Sequence, residues 1–186
     1  GLKEMIVRNY ALFLYRLAMK FCDKVWFQNI EDKAEFIWRK IVSEEKCVVI
    51  KSSGVDINSF DINSIDPRKV SLWRESLGIR NSEKVVLMVV ARLIKAKGVL
   101  DFFEASKIFE KKRYQCRFVL VAPHEEGTHD EISPSLFQNH GVGSFIYYSE
   151  FIDDIQNVIA LADVVTLPSY YREGVPRVLL EAMALS

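Results

Sequence analysis

The stretch Val164-Val165-Thr166-Leu167-Pro168-Ser169-Tyr170-Tyr171-Arg172-Glu173-Gly174-Val175-Pro176-Arg177-Val178-Leu179-Leu180-Glu181-Ala182-Met183-Ala184 decides the fold. Its first four residues are an apolar run bounded by Pro168-Ser169, the pattern of a buried strand of a parallel sheet running into a loop. Gly174 allows a tight turn of the backbone, and Pro176 suits the first position of a helix, where its absent N–H is no loss. From Val175 onward, Val178, Leu179, Ala182 and Met183 recur at helical spacing, so a helix with one apolar face is expected. Such a helix opens its positive end at the carboxyl edge of the sheet. Open α/β sheets bind ligands at that edge, and a helix start favours anions. Glu173 stands just before this helix and Glu181 about two turns inside it.

Further strands and helices alternate through the rest of the chain. Apolar runs at Val85–Val90, Phe118–Val121 and Phe145–Tyr148 read as strands. Helices are expected over Pro67–Leu77, Lys97–Glu110, Glu131–Phe137 and Asp153–Leu161, the second with a stripe of Val99, Phe102, Phe103, Ala105 and Phe109. This alternation predicts an α/β fold with a Rossmann-like parallel sheet and helices on both faces. Ahead of it, residues from about 5 to 21 carry Ile6, Tyr10, Phe13, Leu14, Leu17 and Phe21 at helical spacing among Arg8, Arg16 and Lys20. That helix either packs on a core or lies on a membrane surface. Val25–Gln28 reads as a short strand, Glu31–Ile41 as a helix and Cys47–Ile50 as a strand. The turn-rich Ser52-Ser53-Gly54-Val55-Asp56-Ile57-Asn58-Ser59-Phe60 reads as a linker.

Composition bounds the function. Lys plus Arg equals Asp plus Glu at 25 each, so no global basic field recruits nucleic acid. Hydrophobic residues make up 49%, enough for a globular core, with no run of membrane-spanning length. Cys22, Cys47 and Cys116 are far apart and without C-x-x-C, the usage of reduced thiols in the cytosol. His124-Glu125-Glu126-Gly127-Thr128-His129 is a near miss to a zinc motif, because its second histidine comes one position late. Five residues turn a helix by about 500°, which points the two rings apart, and Pro123 and Gly127 argue against a helix there. His140, before Gly141, reads as a turn residue. No metal site, nucleophilic triad or G-x-G-x-x-G turn is expected.

Glu173 and Glu181 are separated by seven residues, and P-S-x-x-x-E-G-x-P followed by L-L-E-A-M-A resembles the E-x7-E segment of the group 1, GT-B, retaining glycosyltransferases. Ala91-Arg92-Leu93-Ile94-Lys95-Ala96-Lys97-Gly98 fits that family's (G/A)-R-x-x-x-x-K-G pattern. Gly54-Val55-Asp56 with Phe60 fits the G-V-D-x-x-x-F handover between its two domains, and Phe27-Gln28-Asn29 with Asp32 resembles the closing elements of its first domain. The bland alternatives, a solvated helix start and two solvated loop cations, do not account for two such strings in strand-loop-helix context. The resemblance implies that residues 1–54 are the tail of an N-terminal acceptor domain with the interdomain linker. Residues 55–186 would be the C-terminal nucleotide-sugar donor domain, the fold being incomplete at both ends. A 186-residue chain of that kind, ending inside a helix, is expected to bind donor poorly and to transfer nothing by itself.

The resemblance also implies chemistry. The reaction would be transfer of a sugar from a nucleoside diphosphate sugar, with UDP-sugar favoured, to a growing bacterial polysaccharide or lipid-linked glycan, retaining anomeric configuration. Arg92 and Lys97 would hold the donor diphosphate without a metal, as a departing diphosphate needs cationic partners. Glu173 would bind hydroxyls of the donor sugar, and the backbone of Gly174 and Val175 would face sugar or phosphate. Glu181 would grip the ribose hydroxyls, and the backbone at Phe151-Ile152 would read the base. Ala122, and Ser149-Glu150, stand where the family usually has glycines, which leaves the loop shapes and the base open. Glu173, Arg92 and Lys97 are the catalytic candidates, with no cofactor, a cytoplasmic location, and peripheral contact with the inner face of the membrane admitted. The acceptor would be bound mainly by the N-terminal domain. A non-catalytic nucleotide-sugar-binding module of the same fold is the alternative.

Overall fold

A computed structural model describes residues 1–186 except 51–53, 124–126, 128, 129, 139–142 and 171–173. The chain separates into two compact units. One comprises Gly1–Ser53 with Glu173–Pro176, the other Gly54–Arg172 with Arg177–Ser186.

The first unit contains helix α1 (Leu2–Lys20), strand β1 (Val25–Phe27), helix α2 (Ile30–Trp38) and strand β2 (Cys47–Val49). The two strands pair in parallel, Val25 opposite Cys47 and Phe27 opposite Val49. Asn29 starts α2, its side-chain oxygen accepting the Asp32 N–H at 2.6 Å. The helix stops at Trp38 because Lys40 turns left-handed at φ 54°, letting Ile41 N–H reach the Phe36 carbonyl at 2.9 Å and Lys40 N–H the Ile37 carbonyl. The sequence carries this helix on to Ile41; instead Ile41 lies beyond its end and is buried, as are Phe27 and Val42. Phe36 meets Tyr15 and Phe27 edge to face, with ring centroids 5.5 and 5.2 Å apart. Lys46 donates to the Met19 and Cys22 carbonyls at the negative end of α1. The stripe of Ile6, Tyr10, Phe13 and Leu17 on α1 is exposed, as is Phe21 just after it.

The second unit is built on strands β3 (Lys84–Val89), β4 (Cys116–Val121), β5 (Phe145–Tyr148) and β6 (Val164–Val165), ordered β5-β4-β3-β6 and parallel throughout. Period-2 alternation divides the side chains between two cores. Met88, Phe118 and Leu120 face one side with Phe102 and Phe103 of helix α4 (Val99–Lys111) and Phe137 of helix α5 (Ser135–Gln138). Val85, Leu87, Val119 and Val121 face the other. There they meet Val158 and Ile159 of helix α6 (Ile155–Ala160), Val70 and Trp73 of α3 (Pro67–Ser76), and Val178 and Ala182 of α7 (Arg177–Ala184). Helices therefore cover both faces, as a parallel sheet requires. Asp66 and Pro67 open α3 as cap and first residue. Gly78 and Arg113, both at positive φ, close α3 and α4 in the way Lys40 closes α2.

Elements of the second unit also differ from their expected bounds, among them α5, β6 and α7. The helix foreseen over Glu131–Phe137 is only α5, because Glu131 is extended in an antiparallel bridge with Ile94. Strand β6 is two residues long rather than four: after the Thr166 N–H reaches the Leu87 carbonyl at 2.9 Å, Pro168 has no N–H to carry the ladder on. Helix α7 begins at Arg177, one residue beyond Pro176.

Polar groups tie the amino edge of the sheet. Glu83, buried, takes Arg80 Nη and Arg117 Nε at 3.0 Å each, and its carboxylate also accepts the Arg80 N–H at 2.8 Å. Arg117 further donates to the Gly143 carbonyl. The Arg80 guanidinium hydrogen bond, outweighing burial and reinforced by Arg117, holds the Glu83 carboxyl down at about 2. Asp163 bonds the Val85 N–H and Lys84 Nζ in the same row.

Candidate nucleotide-sugar site at the carboxyl edge

The Arg92–Gly98 and Pro168–Tyr170 segments both follow the carboxyl ends of strands, those of β3 and β6. The loop after β3 is not free polypeptide. Leu93 and Ile94 are buried and anchor it from below, while a 3-10 turn over Lys95–Lys97 delivers Gly98 to the start of α4. Arg92 is exposed and Lys97 half-buried, on either side of that anchor. Gly98, the residue that opens α4, adopts φ 74° and ψ 21° and has no side chain of its own to cap the amides behind it. The loop start therefore combines two cations with the positive end of a 13-residue helix.

The loop after β6 closes on this one directly. Ala96 offers its carbonyl to the Tyr170 N–H at 3.1 Å and to the Ser169 hydroxyl at 3.3 Å. A Cβ placed on Gly98 would overlap the Pro168 carbonyl oxygen and lie 2.6 Å from its carbon. Glycine is required here twice over, for the left-handed backbone and for the approach. The K-G and P-S strings of the two motifs are thus in contact, although far apart in the sequence.

Glu181 lies on α7 with its side chain only 12% exposed, and its Oε1 is 3.4 Å from Nη2 of the exposed Arg177 one turn earlier. Arg177 was not singled out by sequence reasoning, although the i, i+4 spacing to Glu181 signals the pair. Also missed was the segment Asp130–Ile132, which bonds across the Arg92–Lys97 loop. A polar loop gives no sequence signal for such pairing. Gly174 is half-buried and Val175 exposed, while Glu173 lies outside the described residues. The His124–Glu126 and His129 positions of the near-miss zinc string, and His140, also lie outside them. Among the described residues no cluster of His, Cys, Asp and Glu could hold a metal ion.

Phe151 and Ile152 follow β5, which β4 separates from β3. Phe151 is 79% exposed, whereas the Ile152 side chain is buried in the core against α6. Only the backbone of Ile152 can therefore serve a ligand. Nearby, Tyr148 donates to Glu150 at 3.3 Å; burial first, then the Glu150 charge, pushes the phenol up, so it stays a donor. Ala122 is fully buried, its carbonyl accepting the Tyr147 hydroxyl at 2.9 Å.

Comparison with known proteins gives a consistent picture. Over 184 residues, 99% of the chain, it is 32% identical to N,N'-diacetylbacillosaminyl-diphospho-undecaprenol alpha-1,3-N-acetylgalactosaminyltransferase of Campylobacter jejuni, of which it covers 46%. It is 35% identical over 69 residues, 37% of the chain, to the alpha-monoglucosyldiacylglycerol synthase of Acholeplasma laidlawii, covering 17% of that protein. Anabaena Alr3699/HepE, crystallised in complex with UDP, superposes with a TM-score of 0.71 at 26% identity, over 91% of this chain and 44% of that one. The fold is also that of WaaG, a glycosyltransferase of lipopolysaccharide biosynthesis, at a TM-score of 0.66 and 20% identity over 87% of this chain and 42% of that one. The chain thus spans at most about half the length of these relatives. The family described as glycosyl transferases group 1 matches residues 70–186, and the chain belongs to it.

Proposed function

We propose that the full-length protein transfers a sugar from a nucleoside diphosphate sugar to a lipid-linked or polysaccharide acceptor, with retained anomeric configuration. UDP-sugar is the favoured donor. The observation that carries this reading is the pairing of the Arg92–Gly98 loop with the Pro168–Tyr170 loop through the Ala96 carbonyl and the Gly98 approach. That pairing puts cations, a helix start and the lead into the E-x7-E segment at one edge. UDP as ligand is supported by the Anabaena relative, and a lipid-linked acceptor by the name of the Campylobacter one.

In this reading Arg92 and Lys97 neutralise the diphosphate as it departs, the step that gains most from fixed charge. The exposed Arg92 meets the phosphates from solvent, and the half-buried Lys97 supports them from beside α4. Glu181, nearly buried on α7, accepts hydrogen bonds from the vicinal ribose hydroxyls, with Arg177 holding the carboxylate in place. Glu173 and the Gly174-Val175 backbone serve the sugar, and the backbone at Phe151-Ile152 serves the base. No metal is assigned a role, since the two cations supply the charge. A lipid-linked acceptor would bring the reaction to a membrane surface, and a nucleotide-sugar donor would place it on the cytoplasmic face.

Calorimetric titration of the full-length protein with UDP, GDP and ADP tests the donor site. One nucleotide should bind, with affinity reduced about tenfold or more by Arg92→Ala or Glu181→Ala, each removing a charge-assisted contact. Binding untouched by both substitutions would overturn the assignment. The anomeric configuration of the product, read by proton NMR, tests retention.

A further inference from the structure

Tyr170 has a fixed main chain and a side chain that the fold leaves unused. Its N–H donates to the Ala96 carbonyl at 3.1 Å, and the Ser169 hydroxyl donates to the same oxygen at 3.3 Å. Two residues earlier, the Pro168 carbonyl closes on Gly98. The backbone of Tyr170 is therefore bonded to the residue that precedes Lys97. Its side chain, by contrast, is 67% exposed. A single exposed aromatic is ordinary on a protein surface. The other tyrosines described in the second unit are used differently. Tyr114 packs its ring on Phe109 with centroids 5.2 Å apart, Tyr147 donates its hydroxyl to the Ala122 carbonyl, and Tyr148 meets Trp73 edge to face at 5.6 Å. Among the described residues, Tyr170 has neither a ring partner nor a hydrogen bond to its hydroxyl.

What could use such a ring is set by the loop it is bonded to. In the reading above, Arg92 and Lys97 hold the donor diphosphate. The donor sugar is joined to that diphosphate through a single oxygen, so it lies beside the same loop. A pyranose carries C–H bonds on its faces and hydroxyls around its rim. An aromatic face covers the C–H bonds and leaves the rim to polar groups. Tyrosine suits this, being a broad apolar surface with a polar tip and few torsions to order on contact. Bonding of its N–H to Ala96 lowers the ordering cost further, because the main chain is already in place. We propose that the Tyr170 ring is a platform on which the donor sugar stacks, and so determines how much of the donor's affinity the sugar supplies. The inference deepens the nucleotide-sugar reading and rests on it.

Titration of the full-length protein separates sugar from nucleotide. The probes are UDP and a set of UDP-glucose, UDP-galactose, UDP-N-acetylglucosamine and UDP-N-acetylgalactosamine, of which the tightest binder is carried through the variants. Tyr170→Ala should weaken that UDP-sugar about fivefold and leave UDP within about twofold of wild type, because only the sugar touches the ring. Tyr170→Phe keeps the ring and should match wild type for both ligands. Tyr170→Leu, apolar and bulky but without a flat face, takes the place of the alanine variant should that one not fold. Unchanged UDP-sugar affinity in Tyr170→Ala would overturn the inference. So would an equal loss of UDP, which assigns the effect to the nucleotide or its loop. A loss in Tyr170→Phe as large as in Tyr170→Ala overturns it too, by moving the effect to the hydroxyl. Arg92→Ala keeps the two readings apart. If it weakens UDP while Tyr170→Ala changes nothing, only the platform fails. If it leaves UDP binding unchanged, or no UDP-sugar of the set binds, the donor reading fails and the platform with it.

Discussion

Gly98 is confined on one side by its own dihedral angles and on the other by the backbone of Pro168, so it bears two separate costs of substitution. An alanine there would pay for the left-handed conformation and would also have to push a carbonyl away. Gly98→Ala is expected to cost at least about 2 kcal/mol, lowering Tm by about 4–8 °C for a unit of this size. Thermal unfolding checks this, and donor titration should show the larger loss, because the displaced carbonyl lies in the loop that meets Ala96. Glu83 shows the opposite logic, a charged side chain made tolerable by complete pairing. Its carboxyl is depressed in the fold to about 2 from an ordinary 4.5. The stabilisation is therefore fully present above pH ~4.5 and drains away as pH falls toward 2, at most on the order of 3 kcal/mol. Urea midpoints measured from pH 6 to pH 2.5 should fall steeply below about pH 4.5 in wild type and more shallowly in Glu83→Gln, which has no proton to take up there.

At the scale of elements, the sequence announced the strands by their apolar runs, and those runs were reliable because β3 and β4 are buried on both faces. Helix α4 was equally plain from its phenylalanines, which occupy one core. The errors fell where backbone geometry outranked side-chain pattern. Ile41 looked like the end of a helix, but a left-handed Lys40, invisible to periodicity, had already ended it. Glu131 had helical neighbours in sequence, yet its backbone was claimed by Ile94. The candidate site was half legible for the same reason. Arg92, Lys97 and Glu181 could be nominated from motifs, because the proposed chemistry asks for their types. The contacts of the loop that carries the two cations could not, because the Ala96 carbonyl, the Gly98 approach and the pairing of Asp130–Ile132 with Leu93–Lys95 are main-chain relations that no side-chain alphabet spells out.

For the molecule as a whole, stability is distributed unevenly. Val85, Leu87, Met88, Val119 and Leu120 have no exposure to solvent, whereas α1 exposes a stripe of large apolar side chains and the sheet of the first unit has two strands among the described residues. Hydrogen exchange should accordingly be slowest at the amides of β3 and β4 and faster across α1, β1 and β2; equal protection in the two units would contradict this. No described helix is long and apolar enough to cross a membrane. The contact of Gly98 with Pro168 also has a hereditary side. A carbonyl is present whatever the codon for 168 specifies, so the constraint falls on the codon for 98: any change away from glycine there meets both the left-handed backbone and the close approach.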